Sequence, residues 1–113
     1  MKPIAAYLKD MLERIERIER YTQAGRQSFF DSTETQDAVI RNFEVIGEIV
    51  KRLPSDLTAA YPEIPWRQIA GFRDVLIHDY DDVDIESVWN TRQTYLEPLK
   101  QTVRSMLDSL DDS

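Results

Sequence analysis

The single histidine of this chain lies in the stretch Arg73-Asp74-Val75-Leu76-Ile77-His78-Asp79-Tyr80, with an arginine five positions before it and a tyrosine two after it. Arginine is permanently charged, and its planar fork matches phosphate oxygens. Histidine takes up and releases protons near neutral pH. Between them, Arg73 and His78 have the chemistry to cleave a phosphodiester, one holding the phosphate and the other moving a proton. Each residue also has a purely structural reading. His78 could be a buried histidine bonded to Asp74, four residues earlier; Arg73 could pair with Asp79 or Asp81; Tyr80 could be half-buried with its hydroxyl at the surface.

Helical geometry constrains the choice. At about 100° per residue, Arg73 and Tyr80 share a face, while His78 lies well round from Arg73. The pair meets if the helix ends near His78, freeing the ring to turn back. It also meets if a second subunit completes the site across a twofold axis.

The elements that would carry this stretch read as helices throughout. From Ile4 to about Tyr21, the apolar positions Ile4, Leu8, Met11, Ile15 and Ile18 recur at three and four, the period of an amphipathic helix. Gly25 is expected to close it. Asp31, Ser32 and Thr33 offer an N-cap for a second helix to about Leu53, which would pair antiparallel with the first. Gly47 sits within its apolar stripe and is expected to be tolerated because another helix passes close. Pro54 stops that helix, and residues 56–60 have room for one short turn. Pro65 suits the start of a helix through Trp66, Ile69, Phe72, Val75 and Leu76, ending near His78. Asp84 can cap a last helix, which Pro98 should kink or split near Glu97. The tail from residue 108 is acidic and expected to fray. The fold expected is all-α: one domain over residues 1–113, an antiparallel bundle of four principal helices plus a short one.

Composition narrows the function. With 113 residues, 42% hydrophobic and 31% charged, the chain has the make-up of a folded domain with one modest core. It contains no cysteine, which excludes disulfides and cysteine–zinc sites and is compatible with a reducing cytoplasm. No segment approaches the roughly 20 apolar residues of a membrane span, and the first ten residues do not read as a signal peptide. The formal net charge of −7 runs against nucleic-acid binding, which relies on neutralising phosphates. A nuclease of this composition needs a small local basic site, or a dimer or partner that reshapes the field. Residues 79–86 hold five carboxylates but lack the glycine and closing glutamate of a calcium loop, so a solvated loop or a contact for a basic partner is expected there. There is no phosphate-binding glycine loop, serine-nucleophile motif or metalloprotease motif.

Three stretches taken together resemble the HepT-like branch of the HEPN superfamily, small all-α toxins paired with minimal nucleotidyltransferase (MNT) antitoxins. These are residues 37–48 (DAVIRNFEVIGE), 61–66 (YPEIPW) and 71–80 (GFRDVLIHDY), the last similar to an arginine, four residues, histidine, one residue, tyrosine motif. The resemblance implies a HEPN-like fold and a cytoplasmic, metal-independent endoribonuclease without cofactor. It would act as a homodimer on RNA, with no DNA or membrane partner. Arg73 and His78 would be the catalytic pair and the product a 2′,3′-cyclic phosphate. Tyr80 would be the tyrosine to which an MNT antitoxin transfers AMP, placing a bulky anion beside the site. Asp74 would be an auxiliary polar residue, standing where many relatives have asparagine. The alternative is a non-catalytic helical partner that positions substrate for a minimal nucleotidyltransferase.

Overall fold

A computed structural model describes residues 2–78 and 83–111, without the side chains of residues 78 and 111. Among these residues six helices follow one another: α1 (Ile4–Tyr21), α2 (Arg26–Asp31), α3 (Thr33–Arg52), α4 (Ser55–Ala59), α5 (Trp66–His78) and α6 (Ile85–Asp111). Among the described residues there is no strand. This is the all-α bundle expected from the sequence, with four long helices and two short ones.

The apolar stripes supply the core. Leu8, Met11, Ile15 and Ile18 of α1 are buried against Val39, Phe43, Ile46 and Val50 of α3 and against Leu96, Leu99, Val103 and Met106 of α6. Arg14 of α1 meets Asn42 of α3, while Tyr7 and Arg52 line one surface pocket, so α1 runs antiparallel to α3. Asn42 is buried and its amide is used at both ends. Its Nδ2 donates to the Ala38 carbonyl at 2.8 Å, and its oxygen accepts from Arg14 at 3.3 Å. A buried amide left unpaired would destabilise the bundle, so this bridge helps fix the register of α1 on α3.

The caps explain the boundaries. Ser32 accepts from the Thr35 backbone N–H at 3.1 Å and opens α3. Asp84 accepts from the Glu86 N–H at 3.0 Å and from the Ser87 hydroxyl at 3.1 Å, opening α6 as anticipated.

Three local expectations are corrected. Gly25 does not close α1, which ends at Tyr21 with Thr22 as its cap; Gly25 precedes α2 instead, at φ 98°, a conformation suited to glycine. The α2 helix itself was not anticipated, because six residues give too short a window for periodicity. It is held by tertiary contacts. Phe29 is buried with its ring 5.3 Å from that of Trp89, and the Gln36 amide donates to the Phe29 and Phe30 carbonyls. Finally, Pro98 does not split α6 near Glu97: the helix runs through it to Asp111. Proline removes one backbone bond, and the buried Leu96, Leu99, Val103 and Met106 on either side hold the remaining turns in place.

Candidate active site

The α3–α5 crossing positions Arg73. Gly47 lies at the point of closest approach. A Cβ there would overlap Arg73 Cβ and sit 3.2 Å from the Ile69 carbonyl oxygen. The glycine thus lets α5 settle against α3, as its place in the apolar stripe suggested, and it seats the base of the arginine side chain directly on α3. Phe43 and Phe72 pack edge to face beside this crossing, with ring centroids 5.8 Å apart.

The guanidinium is held by two carboxylates. Nη1 of Arg73 donates to Asp74 Oδ1 at 2.9 Å, and Nη2 lies 3.2 Å from Glu48 Oε2. Among the described residues its buried Nε has no hydrogen-bond partner. Each carboxylate reaches a second cation. Lys51 Nζ donates to the same Asp74 Oδ1 at 2.7 Å, and Arg52 Nη2 donates to Glu48 Oε1 at 2.8 Å. The result is a continuous ion chain, Lys51–Asp74–Arg73–Glu48–Arg52, joining the last turns of α3 to α5.

Electrostatics follow from these contacts. The Lys51 hydrogen bond, and then that of Arg73, hold the Asp74 carboxyl below its ordinary value. Glu48 in turn raises the Arg52 guanidinium, which remains charged. Three cations against two carboxylates leave this patch locally positive on an acidic chain. That is the kind of small basic site the net charge of −7 calls for. Beside it runs a groove of about 240 Å³ lined by Lys2, Asp10, Arg41, Glu44, Glu48 and Arg73, with Ile77 on its apolar side. Its charged lining is balanced, three cations against three carboxylates, with Val45 and Ile49 adding to the apolar side.

Of the residues singled out in the sequence, Arg73 and Asp74 are together, in direct contact. His78 is the last residue of α5 as described. Its side chain lies outside the described residues, as do Tyr80, Asp79 and Asp81. The arginine's partners are Asp74 and Glu48. The sequence reading missed Glu48, Lys51 and Arg52 as neighbours of Arg73. Their 47–52 stretch reads only as the charged end of a helix, and Gly47 was the one available hint of where α5 crosses. Among the described residues no group of histidine, cysteine, aspartate and glutamate could hold a metal ion, and no helix is long and apolar enough to cross a membrane.

In this all-helical bundle a half-buried arginine stands at a helix crossing and opens an arginine–histidine motif. The chain belongs to the ribonuclease HepT-like family, whose model matches residues 11–106. It is 44% identical over 95 residues to a "probable ribonuclease HepT" of Thermococcus cleftensis, covering 83% of this chain and 86% of that one. It is 36% identical over 112 residues to a protein of Methanocaldococcus jannaschii provisionally named an RNase, covering 98% of this chain and 97% of that one. A second protein of that organism, named as a gamma-glutamylcyclotransferase and provisionally as an RNase, is 40% identical over 111 residues; the match covers 97% of this chain but 50% of the longer protein. No solved structure matches.

Proposed function

We propose that this protein is a metal-independent endoribonuclease, with Arg73 and His78 as its catalytic pair. The observation that carries the reading is the family match over residues 11–106, which includes an arginine–histidine motif whose arginine stands at the α3–α5 crossing beside a surface groove. Arg73 holds the scissile phosphate and stabilises the charge that develops on it, a role worth a few kcal/mol. A histidine removes the proton from the ribose 2′-hydroxyl, whose oxygen attacks phosphorus. The bond to the 5′-oxygen breaks, and a histidine returns a proton to that oxygen. The products are a 2′,3′-cyclic phosphate and a free 5′-hydroxyl. Each chain has one histidine, and a symmetric homodimer brings two, enough for a base and an acid.

In this proposal the chain is the toxin of a toxin–antitoxin pair in the cytoplasm. A minimal nucleotidyltransferase partner silences it by moving AMP from ATP onto the Tyr80 hydroxyl, releasing pyrophosphate. The added anion repels and obstructs RNA. Intact mass of the chain co-expressed with the nucleotidyltransferase encoded beside it tests this switch. Added AMP that disappears in Tyr80→Phe is expected, and an unmodified chain contradicts it.

The net charge of −7 favours a second reading, a non-catalytic partner that positions substrate for the nucleotidyltransferase. Purified chain that binds the nucleotidyltransferase yet leaves RNA intact supports that reading. Cleavage in the presence of EDTA, with a cyclic phosphate on the product, supports the first.

A further inference from the structure

Lys51 of α3 and Arg73 of α5 converge on one oxygen atom. Both donate to Asp74 Oδ1, at 2.7 and 2.9 Å. Two cations from different helices pointed at a single anionic oxygen form an arrangement that suits a non-bridging phosphate oxygen. The second carboxylate in contact with Arg73, Glu48, is tied differently. Its two oxygens go to two arginines, Oε1 to Arg52 and Oε2 to Arg73. Asp74 is also the more exposed of the two, with 46% of its side chain accessible against 38% for Glu48. Displacing Asp74 would leave Lys51 and Arg73 facing a common position, with Glu48 still steadying the guanidinium from the other side.

We propose that Asp74 is an internal stand-in for an RNA phosphate, and that Lys51 is a phosphate-binding residue which Asp74 masks until RNA displaces it. This rests on the reading of Arg73 as a phosphate ligand. In the RNA-free protein the Asp74 carboxylate pairs with both cations and competes with substrate. When RNA enters, one phosphate oxygen takes the Oδ1 position, Arg73 and Lys51 turn from carboxylate to phosphate, and the Asp74 side chain swings into solvent. Asp74 thereby sets how tightly the site binds RNA, and it has no part in bond breaking. The Asp74 contact also holds the half-buried arginine in place in the absence of substrate.

The test is binding of a fluorescein-labelled single-stranded RNA to the His78→Ala protein, alone and with Asp74→Asn, Asp74→Glu or Lys51→Ala added, together with steady-state cleavage by the same three variants carrying His78. Exposed ion pairs are weak, so Asp74→Asn tightens binding and lowers KM by about threefold, with kcat unchanged. Asp74→Glu restores a competing carboxylate and stays near the parent. Lys51→Ala weakens binding and makes the slope of log affinity against log salt shallower by about 0.7, the loss of one phosphate contact on a single strand. A fall in kcat with Asp74→Asn, an unchanged salt slope with Lys51→Ala, or no measurable RNA binding by any of these proteins overturns the proposal. The two layers separate cleanly. Tighter binding by Asp74→Asn and weaker binding by Lys51→Ala, without cleavage by any protein carrying His78, uphold this proposal and defeat the ribonuclease reading. Cleavage with neither effect does the reverse.

Discussion

The two sides of α5 are built differently. Toward α3 the helix is pressed so close that no Cβ fits at Gly47, and the charged ends of both helices interlock through Arg73. Toward α6 the helices approach only loosely. A groove of about 450 Å³ opens between them, lined by Phe72, Val75, Leu76, Val83, Ser87 and Thr91, and Val75 is 50% exposed. The difference separates precision from accommodation. Close packing fixes where the base of the Arg73 side chain stands. The loose seam fixes little and leaves apolar surface within reach of solvent.

The comparison can be broken at its strongest point first. Arg73→Ala should lower kcat/KM for RNA by about 10²–10³-fold, the effect of removing one preorganised charge-stabilising donor. Arg73→Lys should recover only part of it, since a point charge cannot reproduce the fork. A change smaller than tenfold in the alanine variant would mean that the tight seam is structural only.

Two glycines sharpen the contrast through stability. Gly47→Ala pushes a Cβ into Arg73 Cβ, an atom fixed by its own backbone, so the neighbour cannot simply rotate away. Overpacking costs about 1–3 kcal/mol, which outweighs the roughly 1 kcal/mol that alanine contributes over glycine in a helix. A lower melting temperature is the expected reading. Gly71, also helical, has nothing within 4 Å of its would-be Cβ. Gly71→Ala should therefore stabilise by about 0.5–1 kcal/mol, raising Tm by a few degrees. Thermal unfolding of both variants side by side decides the matter. Shifts of the same sign would contradict the contrast between the two positions.

The smallest expected effect is one of pH. Lys51 from α3 and Arg73 from α5 face Asp74, with Glu48 beside them, and the two cations hold its carboxyl below the ordinary value. A depressed folded-state pKa contributes stability above the ordinary carboxylate range and loses it only as pH falls through the depressed value. Across about pH 5–8 the Asp74 contacts should not change, so they add no pH dependence to cleavage in that window. The ratio of KM between the Asp74→Asn variant and the parent, measured over this range, should be flat.

Much of the fold was legible in the sequence because four long helices carry strong apolar periods and recognisable caps. Ser32 and Asp84 open α3 and α6 as their residue types suggest. The misses share a cause. The α2 helix depends on Phe29 meeting Trp89, sixty positions away in the chain, and α6 passes through Pro98 because its buried neighbours hold it. Neither fact is local. The site divides in the same way. The motif from Arg73 to Tyr80 is local and could be read directly. Glu48, Lys51 and Arg52 become part of the site only through the crossing of α3 and α5, and an isolated Gly47 says that something passes close without saying what. The partners expected for Arg73 in the acidic run, Asp79 and Asp81, lie outside the described residues; those observed came from its immediate neighbour and from another helix.

The central claim is that Arg73 and His78 form one phosphodiester-cleaving site. Its most direct test is RNA cleavage by purified His78→Ala beside the parent protein, with circular dichroism confirming equal helix content. The account predicts that the parent cleaves RNA in EDTA to products ending in a 2′,3′-cyclic phosphate, and that the variant retains the fold and loses the activity. Full cleavage by the folded His78→Ala protein would contradict it.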